Sequence, residues 1–242
     1  MGRQFVHDNL NTNNKQAQQT AFFDILTYFG MYLFFATCGG LFFITLFSNL
    51  SSTFGISTMI SIFTPLIILF IFAKFISNLF ISNIYIKLPI NLLSDSSTIG
   101  VGILTCQFLN IGTIVVQSLI FSIIAIVTCA YIGFKYEVNM ETIQYTTQVL
   151  VFSIIGIHFI NLFNIIGYFW GTVLKSILNI ILSSLMAIEL SNKVKHMVRY
   201  GDLSFSHKIE YSLLLFNALL SYTISLVRLT LAFNNRRRDR NN

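Results

Sequence analysis

Charged residues are scarce in this chain: of its 242 residues, 10% are Asp, Glu, Lys or Arg, whereas 55% are hydrophobic. Water-soluble domains carry about a quarter charged residues, and a soluble globule could not keep this many apolar side chains off its surface. Disorder is excluded by the same numbers, because it requires high charge and low hydrophobicity. The composition therefore indicates an integral membrane protein with several spans.

Proline is rare as well, with 2 residues. The apolar runs are long and continuous, which is typical of transmembrane helices; a transmembrane β-barrel would show alternating segments of about ten residues. We therefore expect an all-α, polytopic transmembrane helical bundle with about seven membrane helices. The 3 cysteines, Cys38, Cys106 and Cys129, lie in apolar runs and match neither a disulfide framework nor a metal-ligand spacing, so packing is their expected role.

The apolar runs predict membrane helices over residues 22–47, 56–81, 97–112, 115–134, 146–170, 171–190 and 211–233. Residues 99–134 carry no charge, but Asn110 and Gly112 offer a turn within them, which favours two helices; the alternative is one long, tilted helix. Polar connectors are expected at 48–55, 82–98 and 191–210. The whole is expected to form a single transmembrane domain, 21–233, between a polar amino-terminal tail, 1–20, and a basic carboxy-terminal tail, 234–242.

Basic residues are unevenly distributed between alternate connectors. Those on the amino-terminal side would hold Arg3, Lys15, Lys87, Lys135, Lys193, Lys195, Arg199 and Lys208, and the other side would hold only Lys175. This bias predicts an amino terminus facing the cytosol or an organelle matrix. Seven full crossings would place the basic tail on the opposite side. The last run therefore either enters the membrane and returns to the same side, or crosses the membrane with a basic tail that is an exception to the positive-inside rule.

Motifs for catalysis and cofactor binding are missing from the sequence: there is no phosphate-cradling glycine loop and no H-E-x-x-H, C-x-x-C or G-x-S-x-G pattern. We expect no enzymatic activity, no catalytic residue, no metal and no cofactor. Nucleic acid is not an expected partner either, because the positive charge is not carried by a soluble basic face.

Polar residues within or beside the apolar runs are the candidates for function, because charge in hydrocarbon is costly. Asp24, Lys74 and Lys175 lie near the ends of runs, where snorkelling to the headgroups explains them. Glu189 closes the sixth run and Arg228 lies in the seventh. If their helices are neighbours, the two charges can neutralise each other or flank a polar cavity; separate snorkelling is the alternative.

Two uncharged candidates and one basic cluster complete this set. His158, in the fifth run, and Asn217, in the seventh, are expected to form hydrogen bonds to neighbouring helices. The carboxy-terminal tail is expected to bind anionic headgroups, such as phosphatidylserine or cardiolipin, or an acidic partner, through Arg236, Arg237, Arg238 and Arg240.

Three stretches of the second half carry a family resemblance: KYEVNMETIQYTTQVL, SSLMAIELSNKVKHMVRYGDLSFSH and YSLLLFNALLSYTISLVRLTL. A polar connector leads to two closely joined spans, Glu189 closes the sixth, Gly201-Asp202 follows, and Arg228 lies late in the last helix. This order resembles the Bax-inhibitor family of seven-helix membrane proteins.

The resemblance also implies a functional difference. Family members that leak calcium rely on two facing carboxylates in the last two helices. The second carboxylate would fall near Asn217 or Ala218, neither of which can titrate. The resemblance therefore implies a pH-gated leak that is weakened or lost, since Glu189 alone cannot form a like-charge pair.

Two functions of different classes follow as expectations. The first is a non-catalytic accessory subunit of a larger membrane complex, because the acidic pair is incomplete and catalytic motifs are lacking. The Phe-, Ile- and Asn-rich composition indicates an A+T-rich genome, which favours the mitochondrial inner membrane and a respiratory complex. The alternative is a calcium or proton leak channel or cell-death regulator of the Bax-inhibitor type, in the endoplasmic reticulum or mitochondrion, with Glu189 facing an aqueous cavity.

Overall fold

The computed structural model describes residues 2–162, 167–201 and 203–241. These residues form seven α-helices and no strand: α1 (Gly2–Phe54), α2 (Ile56–Phe80), α3 (Ile84–Leu109), α4 (Gly112–Lys135), α5 (Met140–Leu162), α6 (Tyr168–Tyr200) and α7 (Phe205–Asn241). The prediction of an all-α helical fold is confirmed.

Six helical segments among the described residues are long and apolar enough to cross a membrane: Lys15–Phe54, Ile56–Phe80, Gly112–Lys135, Met140–Asn161, Tyr168–Tyr200 and Phe205–Arg237. The chain is therefore a multi-pass membrane protein. The last of these segments belongs to α7, which is one continuous helix without the turn that a re-entrant segment would need.

The predicted break within residues 99–134 is confirmed. Asn110 follows α3 in a left-handed backbone conformation, with φ of 54°, and α4 begins at Gly112. Asparagine tolerates this conformation better than most residues, since its short polar side chain can bond locally. The alternative of a single long helix is wrong.

Several other predicted boundaries are wrong. Residues 82–98 are not a connector, because α3 begins at Ile84, where the Asn83 side chain accepts a hydrogen bond from the Tyr85 N–H at 3.0 Å. The residues of both predicted tails are helical, since α1 begins at Gly2 and α7 ends at Asn241, and their place outside the transmembrane domain stays a prediction. Polar side chains do not oppose helix formation by themselves, so low hydropathy marks where a helix can leave the membrane and not where it must end.

The break between the fifth and sixth runs also lies elsewhere than predicted. The fifth helix ends at Leu162 and the sixth begins at Tyr168, ahead of the predicted boundary at residues 170–171. The sixth helix then continues through the polar segment to Tyr200 and ends at Gly201, which has φ of 76°. Glycine suits this left-handed end because it has no Cβ.

Contacts divide the chain into two compact units: unit 1 comprises Met1–Leu26 and Thr113–Asn242, and unit 2 comprises Thr27–Gly112. In unit 1, α6 packs extensively against α7 and also contacts α5. Its buried core includes Phe216, Leu219, Val194 and Ile126. The expectation of a single transmembrane domain stays a prediction.

Unit 2 is built from the second part of α1 together with α2 and α3. Helices α1 and α3 approach closely at Gly40, where an added Cβ would lie 2.8 Å from Ile99 and 3.2 Å from the Gly100 nitrogen. Small residues allow such close helix packing in membranes. The approach brings the polar middle of α3 against α1.

Candidate functional site

The structure does not bring Glu189 and Arg228 together as an ion pair. Glu189, half-buried on α6, pairs with Lys193 of the same helix, with 2.6 Å between Oε1 and Nζ. Arg228 is exposed on α7, and among the described residues no ion pair joins it to Glu189. The carboxylate that the leak hypothesis uses as its gate is therefore neutralised within its own helix.

The two uncharged candidates lie in different surroundings. His158 is exposed on α5, whereas Asn217 is half-buried on α7. Among the tail arginines, Arg236 and Arg237 are exposed. The side chains of Arg238 and Arg240 lie outside the described residues, as does Asp202 of the family resemblance.

Two residues assigned to snorkelling meet an opposite charge on another helix instead. Asp24 of α1 pairs with Lys208 of α7, with 2.6 Å between Oδ2 and Nζ. Lys74 of α2 pairs with Asp95 of α3, with 2.5 Å between Nζ and Oδ1. The first pair joins the first and last helices of the chain, and the second joins two consecutive helices. Lys175, the third such residue, is half-buried on α6.

The Lys74–Asp95 pair belongs to a buried polar cluster in unit 2, formed by Tyr32, Lys74, Asn91 and Asp95. Asp95 is only 3% exposed. Its Oδ2 accepts a hydrogen bond from the Tyr32 hydroxyl at 2.7 Å, and its Oδ1 accepts one from the Lys74 ammonium. One carboxylate of α3 is therefore held by donors from both α1 and α2.

Asn91 lies one helical turn before Asp95 and is 3% exposed. Its Nδ2 donates to Asn78 Oδ1 at 3.4 Å, but its own Oδ1 has no hydrogen-bond partner among the described residues. A buried, unsatisfied acceptor is costly, so it commonly holds a water molecule or a polar ligand. The buried polar cluster thus contains one acceptor with unused bonding capacity.

Several serines that are close to Lys74 or Asp95 in the sequence are also buried: Ser77, Ser94, Ser96 and Ser97. The Ser97 hydroxyl donates to the Ser94 carbonyl at 2.8 Å, so it is satisfied within α3. Such back-bonding lets a polar helix face lie in a low-dielectric interior. These buried serines therefore add polarity to this part of unit 2 without adding charge.

The sequence contained a signal for this cluster. Asn91, Asp95 and Thr98 recur at helical spacing of four and three residues, which places them along one helix face. The polar composition of residues 82–98 favours a connector, but this periodicity favours the helix that the structure has. An intramembrane ionisable residue with a charged partner is typical of an ion or proton pathway, although the same contacts also fasten helices together.

A second polar feature lies where α6 begins and α7 ends. The Arg236 guanidinium lies over the Phe169 ring, with 4.5 Å to its centroid, and 5.5 Å from the Trp170 centroid. These residues line an open pocket of about 390 Å³, called the α6–α7 pocket below. No group of three or more His, Cys, Asp or Glu side chains able to hold a metal ion occurs in the described part of the chain.

Comparison with models of known protein families finds no match, and comparison with curated protein sequences finds none either. The resemblance to the Bax-inhibitor family stays a prediction from its short motifs.

Proposed function

We propose that this chain is a non-catalytic, multi-pass subunit of a larger membrane complex, located in the mitochondrial inner membrane. The exposed face of α5 supports this proposal. Gln148 and His158 are exposed there, and the exposed apolar side chains Phe152 and Ile155 lie between them. These four residues lie on one helix face, because α-helical geometry repeats every 3.6 residues.

Gln148 is the more informative of the two polar residues. Helix α5 spans Met140–Leu162, so Gln148 lies three residues from its midpoint, which corresponds to about 4.5 Å along the axis. An amide facing lipid at this depth would have to leave its hydrogen-bonding groups unsatisfied. A partner helix would satisfy them, since Gln and His commonly bond across helices in membranes.

The proposed location rests on composition. Phe, Ile and Asn are abundant in this chain, with 25 Phe alone, as expected from an A+T-rich genome. The three cysteines, spaced along apolar helices, suit a membrane in which disulfides play no part. A respiratory or other energy-transducing assembly is the class of complex that we propose.

The test is the native size of the protein after gentle detergent extraction, with mass spectrometry of the co-migrating chains. We expect wild type to migrate within a large complex and Gln148→Leu/His158→Leu to be released from it. Leucine suits a lipid-facing position, so this variant should remain folded as a free subunit. The control is Gln117→Leu, which makes the same change as Gln148→Leu but on the exposed face of α4. This variant should stay in the complex. Migration of wild type alone would overturn the proposal.

A second candidate function, a proton or cation leak, is favoured by the buried polar cluster. Asp95 is a buried carboxylate inside a membrane protein, and Tyr32 and Lys74 contact it from two other helices. The leak would then depend on Asp95 and not on Glu189. In proteoliposomes, Asp95→Asn should change the proton or calcium flux, whereas Glu189→Gln should leave it unchanged. The reverse result would restore Glu189 as the gate.

A further inference from the structure

The α6–α7 pocket lies between two neighbouring helices, where α6 begins and α7 approaches its end. It is lined by the first turn of α6, including Tyr168, Phe169 and Trp170, and by Asn235 and Arg236 near the end of α7. At this level the apolar stretch of α7 gives way to Asn234, Asn235 and the basic residues Arg236 and Arg237. Tyr and Trp are enriched where a span meets the headgroup layer. The pocket therefore lies at the level of the lipid headgroups.

Arg236 is held in the pocket by its aromatic neighbours. Its guanidinium lies over Phe169, and Phe169 also packs edge-on against Phe233, with 5.6 Å between centroids. A guanidinium has five N–H donors, so a contact with an aromatic ring leaves donors available for a phosphate. The side chain is thus placed before any anion arrives, which lowers the entropy cost of binding.

The surroundings of Arg236 also favour an anion. The residue that precedes α6 is Gly167, which provides no side chain to cap the first N–H groups of the helix. Those N–H groups carry the positive end of the helix dipole. The pocket thus combines a guanidinium, the first residues of α6 with their N–H groups, and Asn235, and the 390 Å³ volume suits a headgroup.

We propose that the α6–α7 pocket binds the phosphate headgroup of an anionic phospholipid. Arg236 contacts the phosphate, and the exposed side chains of Trp170 and Phe233 lie beside the upper part of the acyl chains. These two apolar side chains favour a phospholipid over free phosphate as the ligand, because free phosphate has no acyl chain to contact them. The proposal does not depend on the subunit role, because the lipid site lies on α6 and α7 and the partner face on α5.

The chain contains 1 Trp, so the fluorescence of Trp170 reports directly on this pocket. We would titrate the full-length protein in detergent with dihexanoyl phosphatidylglycerol, dihexanoyl phosphatidylcholine and inorganic phosphate. We expect a saturable change in Trp170 emission with phosphatidylglycerol. The zwitterionic lipid should bind at least about fivefold more weakly, as the loss of one favourable charge interaction predicts.

Two arginine variants make a matched pair. Arg236→Gln should weaken phosphatidylglycerol binding about fivefold or more, whereas Arg237→Gln, the same change at an exposed neighbour that does not line the pocket, should stay within about twofold of wild type. Native mass spectrometry of retained lipid checks the same ranking without relying on Trp170, and thermal unfolding shows that both variants are folded.

Three results would overturn the proposal. Equal weakening by both variants would mean diffuse attraction to a charged surface. Unchanged binding by Arg236→Gln would mean that the pocket is not the site. Inorganic phosphate binding as tightly as phosphatidylglycerol would identify a free-anion pocket in place of a lipid site.

Discussion

At the scale of single residues, the carboxylate of Asp95 is the group whose surroundings matter most. It is buried, it accepts hydrogen bonds from Tyr32 and Lys74, and it lies inside a membrane protein. An unpaired charge in such a place is strongly destabilising, whereas a matched pair is tolerated. The same contacts that make Asp95 a candidate for ion passage therefore also hold α3 against α1 and α2.

We expect Lys74→Met to destabilise the protein by about 3 kcal/mol, because the charge of Asp95 would stay buried without its counter-ion. Adding Asp95→Asn to Lys74→Met should restore part of this loss, because it removes the stranded charge. Reversible unfolding in mixed detergent micelles, followed by circular dichroism, measures the free energy of unfolding.

The matched control for this prediction is Glu189→Gln, which breaks the Glu189–Lys193 pair within one helix. The Lys193 side chain is 41% exposed, so the change should cost at most about 0.5 kcal/mol. Equal losses for Lys74→Met and Glu189→Gln would show that the buried polar cluster has no special energetic role.

At the scale of helices, close contact between α4 and α6 depends on Gly133. A Cβ added there would meet the carbonyl oxygen of Ile188 and would lie 2.8 Å from its Cα. These are backbone atoms, which cannot rotate aside as a side chain can. Replacement of Gly133 must therefore move one helix relative to the other.

We expect Gly133→Ala to destabilise the protein by about 1–3 kcal/mol, as overpacking generally does. Gly156→Ala in α5 makes the same change where nothing lies within 4 Å of the new Cβ. There the higher helix propensity of alanine should stabilise the protein by up to about 1 kcal/mol. Thermal unfolding of the two variants side by side tests both signs, and the same sign for both would contradict this packing.

At the scale of the whole molecule, the number of crossings decides which connectors face which side of the membrane. Helix α2 contains 25 residues, which gives a length of about 37 Å, enough to cross a hydrocarbon core of about 30 Å. Its two ends should therefore lie on opposite sides. The distribution of basic residues predicts that the end near residue 82 faces the cytosol or matrix.

Single cysteines at the two ends of α2 test this topology. Ser57→Cys and Ser82→Cys, both at exposed positions, would be introduced after Cys38, Cys106 and Cys129 are replaced by alanine. A membrane-impermeant maleimide added outside sealed vesicles should label one variant only, and permeabilised vesicles should allow labelling of both. Labelling of both variants in sealed vesicles would contradict a crossing by α2.

Some of the fold could be predicted from the sequence because it depends on local properties. The scarcity of charge and the length of the apolar runs determined a helical membrane protein. The turn residues at 110–112 determined the break between α3 and α4. Residues 82–98 are polar, and hydropathy therefore predicts a connector there. Most of these residues are nevertheless helical, because polar side chains are compatible with a helix.

The pairing of charges was decided only by the tertiary structure. Tyr32, Lys74 and Asp95 lie on three helices, and 63 and 21 residues separate the first two from Asp95. Hydropathy sums the transfer energies of single side chains and contains no distance between residues that are remote in sequence. Lys74 pairs with Asp95 instead of snorkelling to a headgroup because helix packing brings the two side chains within bonding distance. Small residues allow that packing.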